Sequence, residues 1–171
     1  MESTLIITGS ILIGCLLGLS WFAGSDAPFV RTPDQIGKLL KTAGVKKGKK
    51  FYDLGSGDGR LVLEAARMGL ISFGIEQSLI RVLMSKWKAK QLKNANFTAK
   101  QEVHFIHGNI FAQEYTQADY VYIYLMQQAV DRLERKLETD LKKGSIIITK
   151  AYHFKNLKPT KKTGDFWIYK V

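Results

Sequence analysis

Apolar positions in this chain form one unbroken run followed by a series of short blocks. Over residues 4–23 no charged side chain interrupts TLIITGSILIGCLLGLSWFA. At 1.5 Å per residue a helix of that length crosses a hydrocarbon core of about 30 Å, so one N-terminal transmembrane helix is expected. A cleaved signal peptide is the rival reading, but Met1, Glu2 and Ser3 supply no basic segment ahead of the run. Lys and Arg begin only after it, at Arg31, Lys38, Lys41, Lys46 and Lys47, which places the remainder of the chain on the cytoplasmic side and Trp21 and Phe22 at the inner interface. Ser10, Gly14 and Gly18 recur every fourth residue; such small-residue stripes let helices approach closely but are common in spans without a partner.

The blocks that follow alternate between two periods. After a short polar linker at 24–28, Thr32-Pro33-Asp34-Gln35 reads as a capping box with proline at the first helical position. It opens a helix to about Ala43, stopped by Gly44. Short apolar strands are expected at 51–54, 71–76, 103–107, 120–125, 145–149 and 166–169. Between them lie helices at about 60–68, at the segment where Leu79, Ile80, Leu83 and Trp87 mark an apolar face, and from 127 to about 141 with Val130, Leu133, Leu137 and Leu141 in register. Strands alternating with helices imply a mostly parallel sheet covered on both faces, which explains runs such as Ile146-Ile147-Ile148 without polar alternation.

Composition narrows the chemistry. With 171 residues, 46% hydrophobic and 24% charged, the chain has room for one globular domain beside the helix. The formal net charge of +11 favours acidic partners. Its C-terminal part, residues 141–171, carries eight lysines and one aspartate. This stretch suits an anionic lipid or an acidic protein face better than RNA, for which it has no recognition motif. Cys15 is the only cysteine and His104, His107 and His153 are scattered. No disulfide framework, thiol nucleophile or metal site is expected.

The strongest chemical signal is Asp53-Leu54-Gly55-Ser56-Gly57-Asp58-Gly59-Arg60, at a strand-to-helix handover. Glycines there allow close backbone approach, and the helix N-terminus offers N–H groups to a ligand. The spacing is G-x-G-x-G, not the G-x-G-x-x-G of dinucleotide binders. Asp53 ahead of the first glycine would repel a pyrophosphate but suits a cationic amino-acid group. Glu76 ends the second strand, 23 positions after Asp53, where such folds hold ribose hydroxyls. Tyr120, Tyr122 and Tyr124 share one strand face; core packing accounts for all three, and Tyr124 at the strand's C-terminal edge is also a candidate wall of the acceptor site.

From Pro28 to the C-terminus these features resemble class I, seven-strand methyltransferases, which implies a Rossmann-like, doubly wound sheet of six or seven strands and S-adenosylmethionine as cofactor. The expected organisation is a membrane anchor over 1–24 and a methyltransferase domain over 25–171. By this resemblance Gly55, Ser56, Gly57 and Gly59 line the methionine portion, Glu76 holds the ribose, and Asn109 and Ile110 face the adenine. Pro28-Phe29-Val30-Arg31-Thr32-Pro33, DLGSGDGR and Gly74-Ile75-Glu76 are similar to the small membrane-anchored lysine methyltransferases, among them the enzymes acting on the ATP synthase c-subunit and the adenine nucleotide translocase. Arg31 stands where that family usually has proline. The family likeness adds Val30 and Thr32 as possible cofactor contacts, Thr32 being equally an N-cap. It implies protein-lysine methylation of a membrane or membrane-adjacent substrate. Methylation of a lipid headgroup or small amine is the alternative, a non-catalytic cofactor-binding adaptor a further one. The edge Tyr124-Leu125-Met126 lacks the Asn-Pro-Pro-Tyr of adenine and glutamine methyltransferases of this fold, which disfavours nucleic acid as substrate.

Overall fold

A computed structural model describes residues 2–22, 33–95 and 102–171. Among these residues five helices, α1 (Glu2–Phe22), α2 (Pro33–Thr42), α3 (Arg60–Arg67), α4 (Leu79–Ala95) and α5 (Gln127–Asp140), accompany seven strands. The strands are β1 (Lys50–Leu54), β2 (Ile71–Glu76), β3 (Val103–His107), β4 (Tyr120–Ile123), β5 (Ile146–Lys150), β6 (Lys161–Thr163) and β7 (Phe166–Lys170). They form a single sheet in the order β3-β2-β1-β4-β5-β7-β6. The first five are parallel, whereas β7 runs antiparallel to β5 and β6 antiparallel to β7. The chain therefore winds outward in one direction through β1, β2 and β3, then in the other through β4 and β5. The crevice between β1 and β4 is the switch point of the doubly wound sheet.

Burial on both faces follows from the sequence. All four residues of β4 are buried. Val121 and Ile123 pack with Leu133 and Leu137 of α5, while Tyr120 and Tyr122 pack with Leu39 and Leu40 of α2 and with Leu61 of α3. Successive strand residues point to opposite faces, so one apolar run feeds both layers. Tyr120 and Tyr122 are thus core aromatics. The Tyr120 hydroxyl accepts from the Lys46 N–H at 3.2 Å and lies 3.4 Å from the Gly44 carbonyl. A third cluster, Val62, Leu63, Val82 and Phe105, joins α3, α4 and β3.

Two expectations are corrected. The apolar residues expected to bury α4 do not: Leu79, Leu83 and Trp87 are 49%, 56% and 60% exposed, and Arg81, Val82 and Ser85 face inward. Space decides this, because α4 lies so close to the glycine-rich turn that a Cβ on Gly59 would come within 2.7 Å of Ser85 Oγ. A large side chain has no room there. The seventh strand, β6, was absent from the expected set because all its residues are exposed and it begins Lys-Lys, a charged edge with no apolar period. Minor shifts are the end of β4 at Ile123 and the run of β5 to Lys150.

The N-terminal apolar segment forms α1, with Leu5, Ile6 and Leu12 more than 60% exposed. Among the described residues no helix is long and apolar enough to cross a membrane. A Cβ on Gly14 or Gly18 would meet nothing within 4 Å among the described residues, so the small-residue stripe has no partner there. The linker, Val30, Arg31 and the expected capping residue Thr32 lie outside the described residues, and α2 begins at Pro33 as expected.

Candidate functional site

The first glycine turn is tied to the neighbouring strand by backbone hydrogen bonds. Gly55 and Ser56 both donate their N–H to the Ile75 carbonyl at 2.9 Å, and Gly59 donates to the Ser56 carbonyl at 2.9 Å. The turn then enters α3 with Gly59 in the left-handed region at φ 75°, where an added Cβ would lie 2.6 Å from the Phe105 ring. Gly55, at φ 82°, lies under Leu125, whose Cδ2 an added Cβ would meet at 2.8 Å. Both positions demand glycine for conformation and for space.

Asp53, Ser56 and Glu76, all buried, converge on this turn. Glu76 is held by two backbone donors: Gly57 N–H reaches its Oε2 at 2.8 Å, and Ser78 N–H its Oε1 at 2.9 Å. Each carboxylate oxygen keeps a further lone-pair direction. Burial, and then the charges of Glu76 and Asp58, hold the Asp53 carboxyl well above the usual carboxylate range. A cation placed beside it would offset all three causes. Ser56 Oγ is buried without a hydrogen-bond partner among the described residues. An added Cβ on Gly57 would find nothing within 4 Å. Two carboxylates, an unpaired hydroxyl and open space over a glycine suit a ligand that is cationic at one end and carries hydroxyls at the other.

Several residues of this cluster did not stand out in the sequence. Asp58 is gripped by Arg60, with Nε at 2.9 Å and Nη2 at 2.6 Å, and by Lys88 of α4 at 2.8 Å. Burial opposes its ionisation, but hydrogen bonds from Arg60 and Lys88 prevail and draw its pKa down to about 2. Ser85 donates to the Arg81 carbonyl at 2.8 Å and lies 3.3 Å from the Gly57 carbonyl. Ser85 and Lys88 are three residues apart on α4, so one helical face fastens the turn. Only the true inward face of α4 would have shown this from sequence.

On the β3 side, Gly108 N–H donates to the Glu76 carbonyl at 3.0 Å, setting the loop of Asn109 and Ile110 beside Glu76. The Asn109 side chain caps its own turn through the Phe111 N–H at 2.9 Å, and the Ile110 carbonyl accepts from the Tyr115 hydroxyl at 2.6 Å. Across the switch point, Tyr124 is half-buried beyond β4 and packs against the core. The Lys150 ammonium lies 5.0 Å from the Tyr124 ring centroid and 5.6 Å from that of Phe166. Tyr124 thus stands just beyond the C-terminal end of β4 and already faces a cation. Glu134 of α5 accepts the N–H groups of Lys155, Asn156 and Leu157. Among the described residues no group of three or more His, Cys, Asp or Glu is placed to hold a metal ion.

The strand order, the lone reversed strand β7 and the glycine turn at the switch point define a class I methyltransferase domain, a fold whose cofactor is S-adenosylmethionine. More narrowly, the chain belongs to the ANTKMT methyltransferase domain family, whose model matches residues 53–161. The ATP synthase c-subunit lysine N-methyltransferase of Rattus norvegicus is 30% identical over 147 residues, covering 83% of this chain and 65% of that protein. A protein-lysine N-methyltransferase of Saccharolobus islandicus is 26% identical over 136 residues, covering 77% of this chain and 81% of that one. Among solved structures, an RNA methyltransferase from Salinibacter ruber in complex with S-adenosyl-L-homocysteine superposes with a TM-score of 0.70 at 27% identity, covering 82% of this chain and 91% of that chain. The chain spans 65% of the length of the rat relative and 60% of the human one.

Proposed function

We propose that this chain is an S-adenosylmethionine-dependent protein-lysine N-methyltransferase, held at a membrane by residues 1–24 and acting through residues 25–171 on a lysine of a membrane or membrane-adjacent protein. The observation that carries it is the convergence of Asp53, Ser56 and Glu76 on the glycine turn at the switch point. Two of the relatives are named as lysine methyltransferases, which supports lysine as acceptor. The uncharged run over 4–23 supports the anchor. Arg and Lys following that run support a cytoplasmic catalytic domain.

Bound S-adenosylmethionine supplies a methyl group on a sulfonium, which a neutral amine accepts as the carbon–sulfur bond breaks and a thioether departs. The protein's own part is placement. Asp53 faces the cationic amino-acid end, and Gly55, Ser56, Gly57 and Gly59 give that end backbone access. Glu76, preset by two N–H donors, accepts from ribose hydroxyls, with Asn109 and Ile110 on the adenine side. In this reading Val30 and Thr32 are further cofactor contacts. Tyr124 walls the acceptor side, where a partly apolar aromatic surface depresses the pKa of an entering lysine and receives its methylated product.

The test is to incubate the full chain with methyl-labelled cofactor and host membranes, then locate the label. Methyl-lysine at one or a few protein sites is the expected result. Label in lipid alone, in RNA alone or in a small amine would refute the acceptor, and absence of S-adenosylhomocysteine with every fraction would refute catalysis.

A further inference from the structure

Helix α4 has two faces with different tasks. Its inner face, Ser85 and Lys88, fastens the cofactor turn. Its outer face carries Leu79, Leu83 and Trp87 at i, i+4 and i+8, all about half exposed or more, with Met84 beside them at 38%. That row runs about 12 Å along the helix. A contiguous apolar row containing an exposed tryptophan marks a surface that binds something.

We infer that this outer face of α4 lies on an anionic lipid surface and fixes how the catalytic domain is oriented against the membrane. Three observations choose lipid as the occupant. Lys86 and Lys90 flank the row, both exposed, and line an open hollow against edge strand β3 with Phe73, His104 and Ile106. This cationic flank complements phosphate headgroups, in a chain whose net charge is +11. Leucines beside lysines with a tryptophan on one helical face is the composition of helices that rest in the headgroup region. Finally, α4 lies against α1, a helix whose own Leu5, Ile6, Ile11 and Leu12 are exposed, so the same part of the molecule carries a second apolar surface. Leu79 begins α4 three residues after Glu76, so the row starts beside the cofactor turn. A bilayer along it would present surface lysines of membrane proteins to the crevice without drawing them out of the lipid.

This rests on the membrane reading above and adds a second point of contact to it. The test uses the full chain with Cys15→Ser, which removes the only cysteine, and with Leu83→Cys or Trp87→Cys carrying a polarity-sensitive fluorophore. Glu138→Cys, exposed on α5 across the sheet, serves as control. The proteins are reconstituted in phosphatidylcholine vesicles with and without phosphatidylglycerol, and flotation is scored alongside. The fluorophores at 83 and 87 are expected to shift to the blue and to be quenched by brominated acyl chains at least about threefold more than that at 138. Exchanging Lys86→Glu and Lys90→Glu should reduce that quenching only in the anionic vesicles. Flotation with positions 83 and 87 as water-accessible as 138 would overturn this inference and leave the anchor standing. No flotation would overturn both. Shielding that rises with protein concentration but is insensitive to brominated lipid would assign the face to a second copy of the chain. Because the readout involves no acceptor, quenching without methyl-lysine formation would refute only the proposed substrate.

Discussion

At the scale of single residues, the site turns on two aspartates whose environments act in opposite directions. Asp53 binds its proton more tightly in the fold than at its ordinary value of 3.8. Its contribution to the stability of the ligand-free protein is therefore full below that value and is lost as pH rises through the raised one. Asp58, drawn down to about 2, contributes stability above 3.8 that is lost as pH falls towards 2. A cationic cofactor end selects ionised Asp53. Affinity should thus weaken on acidification through the raised pKa, with a proton released on binding near and below it. Calorimetry in buffers of different ionisation enthalpy measures both effects. Asp53→Asn should abolish the pH dependence and weaken binding about tenfold or more, and Glu76→Ala should weaken it similarly without removing that dependence. Unchanged affinity in both variants would dissociate this cluster from the cofactor.

At the scale of elements, the handover from β1 to α3 is the least tolerant part of the chain. Gly59→Ala places a Cβ in the left-handed region and into the Phe105 ring, whereas Gly48→Ala meets the same φ of 75° with open space around it. Backbone strain costs about 1–2 kcal/mol at both; at Gly59 the collision adds about 1–3 kcal/mol more. Thermal unfolding should accordingly show a distinctly larger drop in Tm for the Gly59 variant. This turn was legible in the sequence because its glycines and acids are local in the chain. So were β1, β2, β4 and β5, whose apolar runs leave no other place than a sheet covered twice. Helix α4 was legible as a helix but not in its orientation. Apart from Val82, the inward residues beside the turn, Arg81, Ser85 and Lys88, are small or charged, so its strongest hydrophobic period pointed to the outer surface. The Lys88–Asp58 contact joins residues 30 apart and depends on that orientation, so it was hidden with it. Strand β6 was illegible because hydrogen bonding to β7 defines it, without burial.

At the scale of the whole molecule, the strands, helices and candidate cofactor cluster between Pro33 and Val171 close on their own core, and among the described residues none of the core clusters draws on α1. A chain starting near Ser25 is therefore expected to fold and to bind cofactor with affinity within about threefold of the full chain, as measured by calorimetry, while losing methylation of membrane substrates. A truncated chain that folds without binding would refute the division into anchor and catalytic parts. The Glu134 carboxylate has a consequence at this scale too. Because it collects three successive N–H groups from the loop at 155–157 and is itself 2% exposed, the loop's polar backbone is satisfied from inside the core. Those amides are shielded only while α5 is seated, so the loop beyond β5 and the helix open as one cooperative unit instead of as a flap on a rigid body.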